Sequence, residues 1–118
     1  MKSLITIDVK HFKDARVKDS LIVEFLNLYV TELLILPDQF KSLMLASDYL
    51  GAERMLHSFK GASDVIGAYQ ISALMQRLEN LMKTDDQIFN TIQLIDEFRL
   101  GVEITLREVR KLIDELSS

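Results

Sequence analysis

The chain has 118 residues, 48% hydrophobic and 27% charged, without a low-complexity stretch, which excludes a disordered chain and indicates one folded domain. Its net charge of −4 argues against nucleic-acid binding, because that activity usually depends on a basic surface that neutralises phosphates. Cysteine is absent, which excludes disulfides, thiolate zinc sites and a thiol nucleophile.

No segment of the sequence is typical of a membrane span or a secretion signal. The most apolar stretch, residues 21–36, is shorter than the roughly 20 apolar residues that crossing a bilayer requires. It is also interrupted by Glu24, Asn27, Thr31 and Glu32. The N-terminus lacks the order of charged, apolar and small residues that marks a signal peptide. We therefore expect a cytoplasmic protein that does not insert into a membrane.

The sequence favours a few long helices, because four glycines and one proline supply few turns. Residues 1–7 are predicted to form an extended arm. Asp8 is expected to cap a short helix over 9–15, which Phe12 anchors. Asp19 or Ser20 is expected to cap the helix that follows.

This second helix has apolar residues at alternating steps of four and three, the spacing of a bundle helix. They are Ile22, Leu26, Tyr29, Leu33, Leu36, Phe40 and Leu43. Pro37 lies inside the pattern, where a proline either kinks one helix or begins another at its first position. Because the register continues across Pro37, we predict one kinked helix.

Three more amphipathic helices complete the predicted elements. Ser47 and Asp48 mark the start of the third and Gly67 its end. The fourth, before a predicted turn at 84–86, is defined by Ile71, Leu74, Met75, Leu78, Leu81 and Met82. The last helix has apolar residues at the same alternating steps of four and three, namely Ile88, Ile92, Ile95, Val102, Leu106, Val109, Ile113 and Leu116. The pattern fails once, at Arg99, where the apolar residue Phe98 lies one position earlier.

Four main amphipathic helices with short connections predict an all-α fold. The expected architecture is an antiparallel up-down-up-down four-helix bundle with a short extra N-terminal helix. No internal repeat or linker divides the sequence. We expect a single domain over 1–118, with the arm and short helix in 1–18 and the bundle in 19–116.

His57 is the residue that core packing does not explain. On a helical wheel of about 100° per residue, one side of the segment 50–68 carries Ala52, Met55, Leu56, Phe59, Ala62, Ser63 and Ile66. The opposite side carries Glu53, His57, Lys60, Gly61 and Asp64. A histidine in the middle of the polar face, with a cation at i+3 and no side chain at i+4, suits a nucleophilic imidazole that must meet a bulky partner.

These residues resemble the histidine-containing phosphotransfer (HPt) domains of two-component phosphorelays. The match consists of His57-Ser58-Phe59-Lys60-Gly61-Ala62-Ser63, Ile66-Gly67-Ala68, Leu74 and Leu78-Glu79, with Asp48 where the family often begins a helix. The resemblance spans about residues 19–116, and the residues that are specific to the family lie between 48 and 79. Phe59 stands where the family often has leucine. Asp64 replaces a small or amide residue, and its charge would repel a phosphohistidine.

The resemblance implies that His57 accepts a phosphoryl group from an aspartyl phosphate on one receiver domain and passes it to an aspartate on another. Imidazole, with an ordinary pKa near 6.5, has a free lone pair at neutral pH. Lys60 is expected to offset the phosphoryl charge, although it could instead pair with Asp64 at i+4. The residues expected at the docking surface are Gly61, Asp64, Glu53, Arg54 and Gly67. Of these, Gly61 leaves space for a receiver loop, and Glu53 at i−4 could orient the imidazole.

The resemblance also implies a phosphoryl carrier without autonomous catalytic activity. No resident cofactor or metal site is expected, and Mg²⁺ would come with the partner receiver. The implied partners are response-regulator receiver domains and a hybrid histidine kinase. A monomer is the simplest expectation.

Two other classes of function are weighed against this one. A non-catalytic adaptor bundle would use its apolar excess to dock a partner helix, but it has no need for the arrangement around His57. A carboxylate-bridged metal enzyme needs Glu-x-x-His pairs on two helices, and the chain has none. A kinase is disfavoured because there is no glycine-rich phosphate loop.

Overall fold

The structure is a computed structural model that describes residues 7–84 and 89–118. Across these ranges the protein is helical and contains no strand; an isolated antiparallel bridge joins Ile7 to Ala68. The helices are α1 (Lys10–Asp14), α2 (Asp19–Leu45), α3 (Tyr49–Val65), α4 (Tyr69–Lys83) and α5 (Thr91–Ser117). The all-α prediction, with one short N-terminal helix and four longer ones, is confirmed. Most of the predicted arm, part of the predicted turn at 84–86 and the core position Ile88 lie outside the described residues.

The second helix is continuous across its proline. Pro37 lies inside α2, so the prediction of one helix in this region is confirmed. Its start was predicted wrongly, because Lys18 holds the N-cap position and its carbonyl accepts from the N–H groups of Leu21 and Ile22. Asp19 instead lies in the first turn, where the helix dipole favours a negative charge.

The core is formed between neighbouring long helices. The most extensive contacts join α2 to α5 and α3 to α4, and α2 also packs on α3 and α4 on α5. Phe40 of α2 and Phe98 of α5 have ring centroids 4.9 Å apart, while Tyr29 stacks on Phe59 of α3 at 5.0 Å. Burying a side chain of this size contributes roughly 1.5–3 kcal/mol, so these aromatic pairs contribute strongly to holding the helices together.

Most of the predicted apolar rows face this core. The buried residues of α2 are Ile22, Leu26, Tyr29, Val30, Leu33, Leu36, Phe40 and Met44. Ile92, predicted as a core residue of α5, is 61% exposed, because the buried face of that helix begins with Leu94 and Ile95. Phe98, the residue at the lapse in the pattern, is fully buried.

Length and composition alone would allow α2 to cross a membrane. An 18-residue window in it has a mean hydropathy of 1.6. The core helix of a soluble protein meets the same criterion, and one face of α2 lies in the bundle core. The hydropathy of α2 is therefore only weak evidence for a membrane span.

A glycine ends α3 and allows the N-terminal segment to cross the chain there. Gly67 has a φ of 73°, and the N–H groups of Gly67 and Ala68 donate to the carbonyls of Asp64 and Ser63, the hydrogen-bond pattern of a Schellman motif. The Asp8 N–H donates to the Gly67 carbonyl at 3.3 Å. A Cβ at position 67 would lie 1.9 Å from the Asp8 carbonyl oxygen. Glycine is thus required both for the left-handed backbone and for the close approach.

We expect Gly67→Ala to lower the free energy of unfolding by about 2–5 kcal/mol, since the left-handed backbone costs roughly 1–2 kcal/mol and overpacking roughly 1–3 kcal/mol. Chemical denaturation measures the change. Ser47→Gly is the matched control, because Ser47 has a φ of 56° at the corresponding position after α2. This variant should be as stable as the wild type or more stable, since glycine adopts a positive φ without strain. An undiminished free energy of unfolding for Gly67→Ala would contradict the assignment of this crossing.

Candidate functional site

The imidazole of His57 projects from the middle of α3 into solvent. Its side chain is 69% exposed, and Nδ1 lies 2.8 Å from Oε1 of Glu79 on α4. Leu56 and Phe59, its neighbours on the apolar side of α3, are buried. The ring is therefore carried by a packed helix and held at one nitrogen, while Nε2 takes no part in the contact with Glu79.

Glu79 is a carboxylate placed in the apolar row of α4. Its side chain is 2% exposed, and the residues that share its face include Met75, Leu78 and Met82. Lys83, one turn later on the same helix, lies 3.2 Å from Oε1, and Lys60 of α3 lies 3.6 Å from Oε2. A buried charge is tolerated only when it is paired in this way.

The two lysines keep Glu79 ionised. Burial acts to raise the pKa of the Glu79 carboxyl, but hydrogen bonds from Lys83 and His57 and the charges of Lys83 and Lys60 outweigh it, so the pKa lies below its ordinary value. An ionised carboxylate can only accept hydrogen bonds. The proton between Glu79 and His57 is therefore on Nδ1, and a neutral ring in this arrangement carries its lone pair on the exposed Nε2.

The Lys60 side chain points to α4 rather than along its own helix. Its ammonium donates to Oε1 of Gln76, and the Gln76 amide nitrogen donates to Oδ1 of Asn80 at 2.9 Å. Asp64, the i+4 partner considered from the sequence, is exposed. The structure thus places Lys60 against Gln76 and Glu79 instead of in the surface pair with Asp64.

The sequence assigned the orienting role to the wrong glutamate. Glu53, expected to reach His57 from one turn earlier, lies 3.9 Å from Lys83 instead. Glu79, 22 positions after His57, makes the hydrogen bond to the ring. A carboxylate inside an apolar row was the available signal, because such a residue is rarely buried without a partner.

The other residues predicted at the docking surface differ in their accessibility. Gly61, Arg54 and Asp64 are exposed on α3, and a Cβ added to Gly61 would meet no atom within 4 Å. Gly67 is buried, because Asp8 of the N-terminal segment covers it. Gly67 therefore has a structural role at the end of α3, and its place at the docking surface stays a prediction.

The part of the chain that the structure describes contains no group of three or more histidine, aspartate or glutamate residues able to hold a metal ion. The exposed group of this site is the imidazole of His57, which is oriented by the hydrogen bond from Nδ1 to the Glu79 carboxylate.

These features define the protein as a helical domain that presents an exposed histidine, held by a buried glutamate that also lies near a lysine. The family model of the Hpt domain matches residues 24–118, and the chain belongs to this family. Hpt domains are phosphocarriers that function in His–Asp phosphorelays. The chain matched none of the curated proteins and none of the solved structures.

Proposed function

We propose that His57 is the phosphoacceptor, which takes a phosphoryl group from the aspartyl phosphate of one receiver domain and passes it to an aspartate of another. The hydrogen bond from Nδ1 to Glu79 carries this proposal. It places the proton on the nitrogen that faces the protein and leaves the exposed nitrogen free to attack phosphorus.

The transfer needs no base from this chain. The Nε2 lone pair forms the N–P bond while the P–O bond to the donor aspartate breaks, and the carboxylate leaves with the bonding electrons. The ring keeps its Nδ1 proton and gains positive charge, which the adjacent Glu79 carboxylate stabilises. Transfer to the acceptor reverses these steps. Positioning and charge neutralisation are the main requirements of phosphoryl transfer, and both can be met here.

Lys60 is proposed to neutralise part of the phosphoryl charge. It lies three residues after His57, and its ammonium is 3.6 Å from the carboxylate that holds the ring. Asp64, one turn further along the exposed side of α3, would oppose an incoming phosphoryl group. Arg54 and Glu53 are proposed to contact the partner, with the space above Gly61 admitting a receiver loop.

We further propose that α2 to α5 alternate in direction, as in an up-down-up-down bundle. Two ion pairs between α3 and α4 support this arrangement, because Glu53 lies near Lys83 and the later Lys60 lies near the earlier Glu79. Arg77 of α4 pairs with Glu97 of α5, and Leu74 approaches Gly101. Helices that alternate in this way would display His57 in the middle of one long side.

The remaining proposals concern the surroundings of the domain. A hybrid histidine kinase and response-regulator receivers are the proposed partners, and Mg²⁺ is proposed to be bound by the receiver. We propose that this chain acts as a monomer in the cytoplasm, as one phosphocarrier domain with neither a resident cofactor nor catalytic activity of its own.

The direct test is incubation of the protein with phosphorylated receivers from its source organism. The expected product contains phosphate that is labile in acid and stable in alkali, as an N–P bond requires, and NMR should locate phosphorus on Nε2. Phosphoramidate, a small phosphoryl donor, tests the histidine independently of docking. Failure of both donor types to label the protein would favour the adaptor alternative.

Gly61 allows docking and stability to be separated. We expect Gly61→Ala to raise the free energy of unfolding by about 0.5–1 kcal/mol, because glycine is costly inside a helix and open space surrounds the added methyl. Gly61→Leu should also fold, yet lose phosphorylation by receivers while phosphoramidate still labels it. Normal transfer from a receiver to Gly61→Leu would contradict the proposed docking space.

A further inference from the structure

Lys60 and His57 share one carboxylate. Oε1 of Glu79 accepts from His57 Nδ1 at 2.8 Å, and Oε2 lies 3.6 Å from the Lys60 ammonium. That second separation is longer than a normal hydrogen bond, and Oε2 has no hydrogen-bond partner within the described part of the chain. The hydrogen bond that holds the ammonium is made to Gln76 instead.

The Gln76 side chain is itself held in the orientation that serves Lys60. Its amide nitrogen donates to Oδ1 of Asn80, one turn later on α4, so its oxygen is directed away from Asn80 and accepts from Lys60. Only 21% of the Lys60 side chain is exposed. A flexible lysine is thereby confined to the groove between α3 and α4.

This confinement keeps the ammonium on the side of the imidazole that faces the protein. Glu79 binds the ring through Nδ1, and the ammonium lies beside the same carboxylate. The lone pair of Nε2 points away from Nδ1 across the ring. A phosphoryl group bonded to Nε2 would therefore compete with Gln76 for the Lys60 ammonium.

We propose that Gln76 is a positioning residue for Lys60, which holds the ammonium back while His57 is unphosphorylated and releases it to the phosphoryl group. The inference rests on the proposed role of His57 as phosphoacceptor. Releasing the ammonium costs the hydrogen bond to Gln76, and this cost favours the unphosphorylated domain. Gln76 thus sets how far the phosphotransfer equilibrium with a receiver lies toward the phosphorylated HPt domain.

The test is the equilibrium constant for phosphoryl transfer between a phosphorylated receiver and the Gln76→Met variant. Methionine keeps the length of the side chain and removes the acceptor. We expect the equilibrium to shift toward phosphorylated HPt domain by about threefold to tenfold, because hydrogen bonds to charged groups are stronger than neutral ones but partial exposure weakens them. Asn80→Ala, which frees the Gln76 amide, should give a smaller shift of the same sign.

A second experiment tests whether Gln76→Met changes the equilibrium constant by acting on Lys60. In a Lys60→Met background, Gln76→Met should leave the equilibrium constant unchanged within about twofold, because two residues that act through one contact are not additive. Gln93→Met, at an exposed glutamine of α5, is the matched control and should have no effect. A merely structural role for Gln76 would lower the midpoint of thermal unfolding in both backgrounds.

The outcomes separate this inference from the proposed function. A wild-type protein labelled normally, with no shift for Gln76→Met or with a shift toward the receiver, overturns the role of Gln76 alone. An equal shift with and without Lys60 also overturns it. A wild-type protein that neither receivers nor phosphoramidate can label overturns the proposed function and the inference together.

Discussion

Replacing His57 by glutamine is expected to reduce phosphorylation of the domain by receivers to background. The variant loses the nitrogen nucleophile, and an amide nitrogen has no comparable lone pair. Glutamine can still donate a hydrogen bond to Glu79, so the carboxylate keeps a partner, and Lys83 remains 3.2 Å away. Because the His57 side chain is 69% exposed, the bundle should fold as the wild type does. The measurement is the acid-labile, alkali-stable phosphate incorporated per molecule.

His11→Gln is the control for this substitution. His11 is the other histidine of the chain; it lies on α1, with its ring centroid 4.4 Å from that of Phe12. It has none of the partners that orient His57, so its loss should leave phosphate incorporation unchanged. Equal labelling of His57→Gln and the wild type would rule out the proposed phosphoacceptor.

The fold was predictable where a single helix decides which side chains are buried. The row from Ile22 to Phe40 keeps one register, and the structure buries it across Pro37 as predicted. Helix ends were less predictable, because backbone carbonyls such as that of Lys18 can begin a helix without a capping side chain. The exposure of Ile92 depends on how α5 rotates against its neighbours, which the sequence of α5 alone does not specify.

The site, like the fold, was predictable only where a single helix decides the position of a side chain. The exposure of His57 follows from the period of α3, and the wheel places it correctly. Its partner Glu79 belongs to α4, so the pair depends on the register between two helices, which periodicity does not supply. A local rule instead pointed to Glu53, one turn away on the same helix. Interhelical contacts also direct Lys60 to Gln76.

Glu79→Gln is expected to slow phosphoryl transfer to His57 by roughly tenfold to a hundredfold, with the protein still folded. Glutamine keeps the size of the side chain and an acceptor for the Nδ1 proton, but it removes the negative charge that stabilises the ring as phosphorus bonds to Nε2. A hydrogen bond to a charged group contributes about 1.5–3 kcal/mol, and each 1.36 kcal/mol changes a rate tenfold. Single-turnover transfer from a phosphorylated receiver measures the rate.

Glu103→Gln provides the matched control for the loss of one carboxylate. Glu103 is exposed on α5 and pairs with Arg99 at 3.0 Å, away from the contacts of His57. Its removal should leave the transfer rate unchanged within about twofold, since surface ion pairs contribute little. A rate for Glu79→Gln as fast as that of Glu103→Gln would show that the buried charge is not needed for transfer.

The same carboxylate predicts how stability depends on pH. The folded protein lowers the pKa of Glu79 below its ordinary value of 4.5, so the unfolded chain binds a proton there more readily. The resulting stabilisation is fully present above about pH 4.5 and is lost as the pH falls through the lower, folded pKa. Between pH 6 and pH 3 the wild type should therefore lose more free energy of unfolding than Glu79→Gln, as measured by urea denaturation at each pH. Equal losses for the two proteins would mean that Lys60 and Lys83 do not stabilise an ionised Glu79 behind the imidazole.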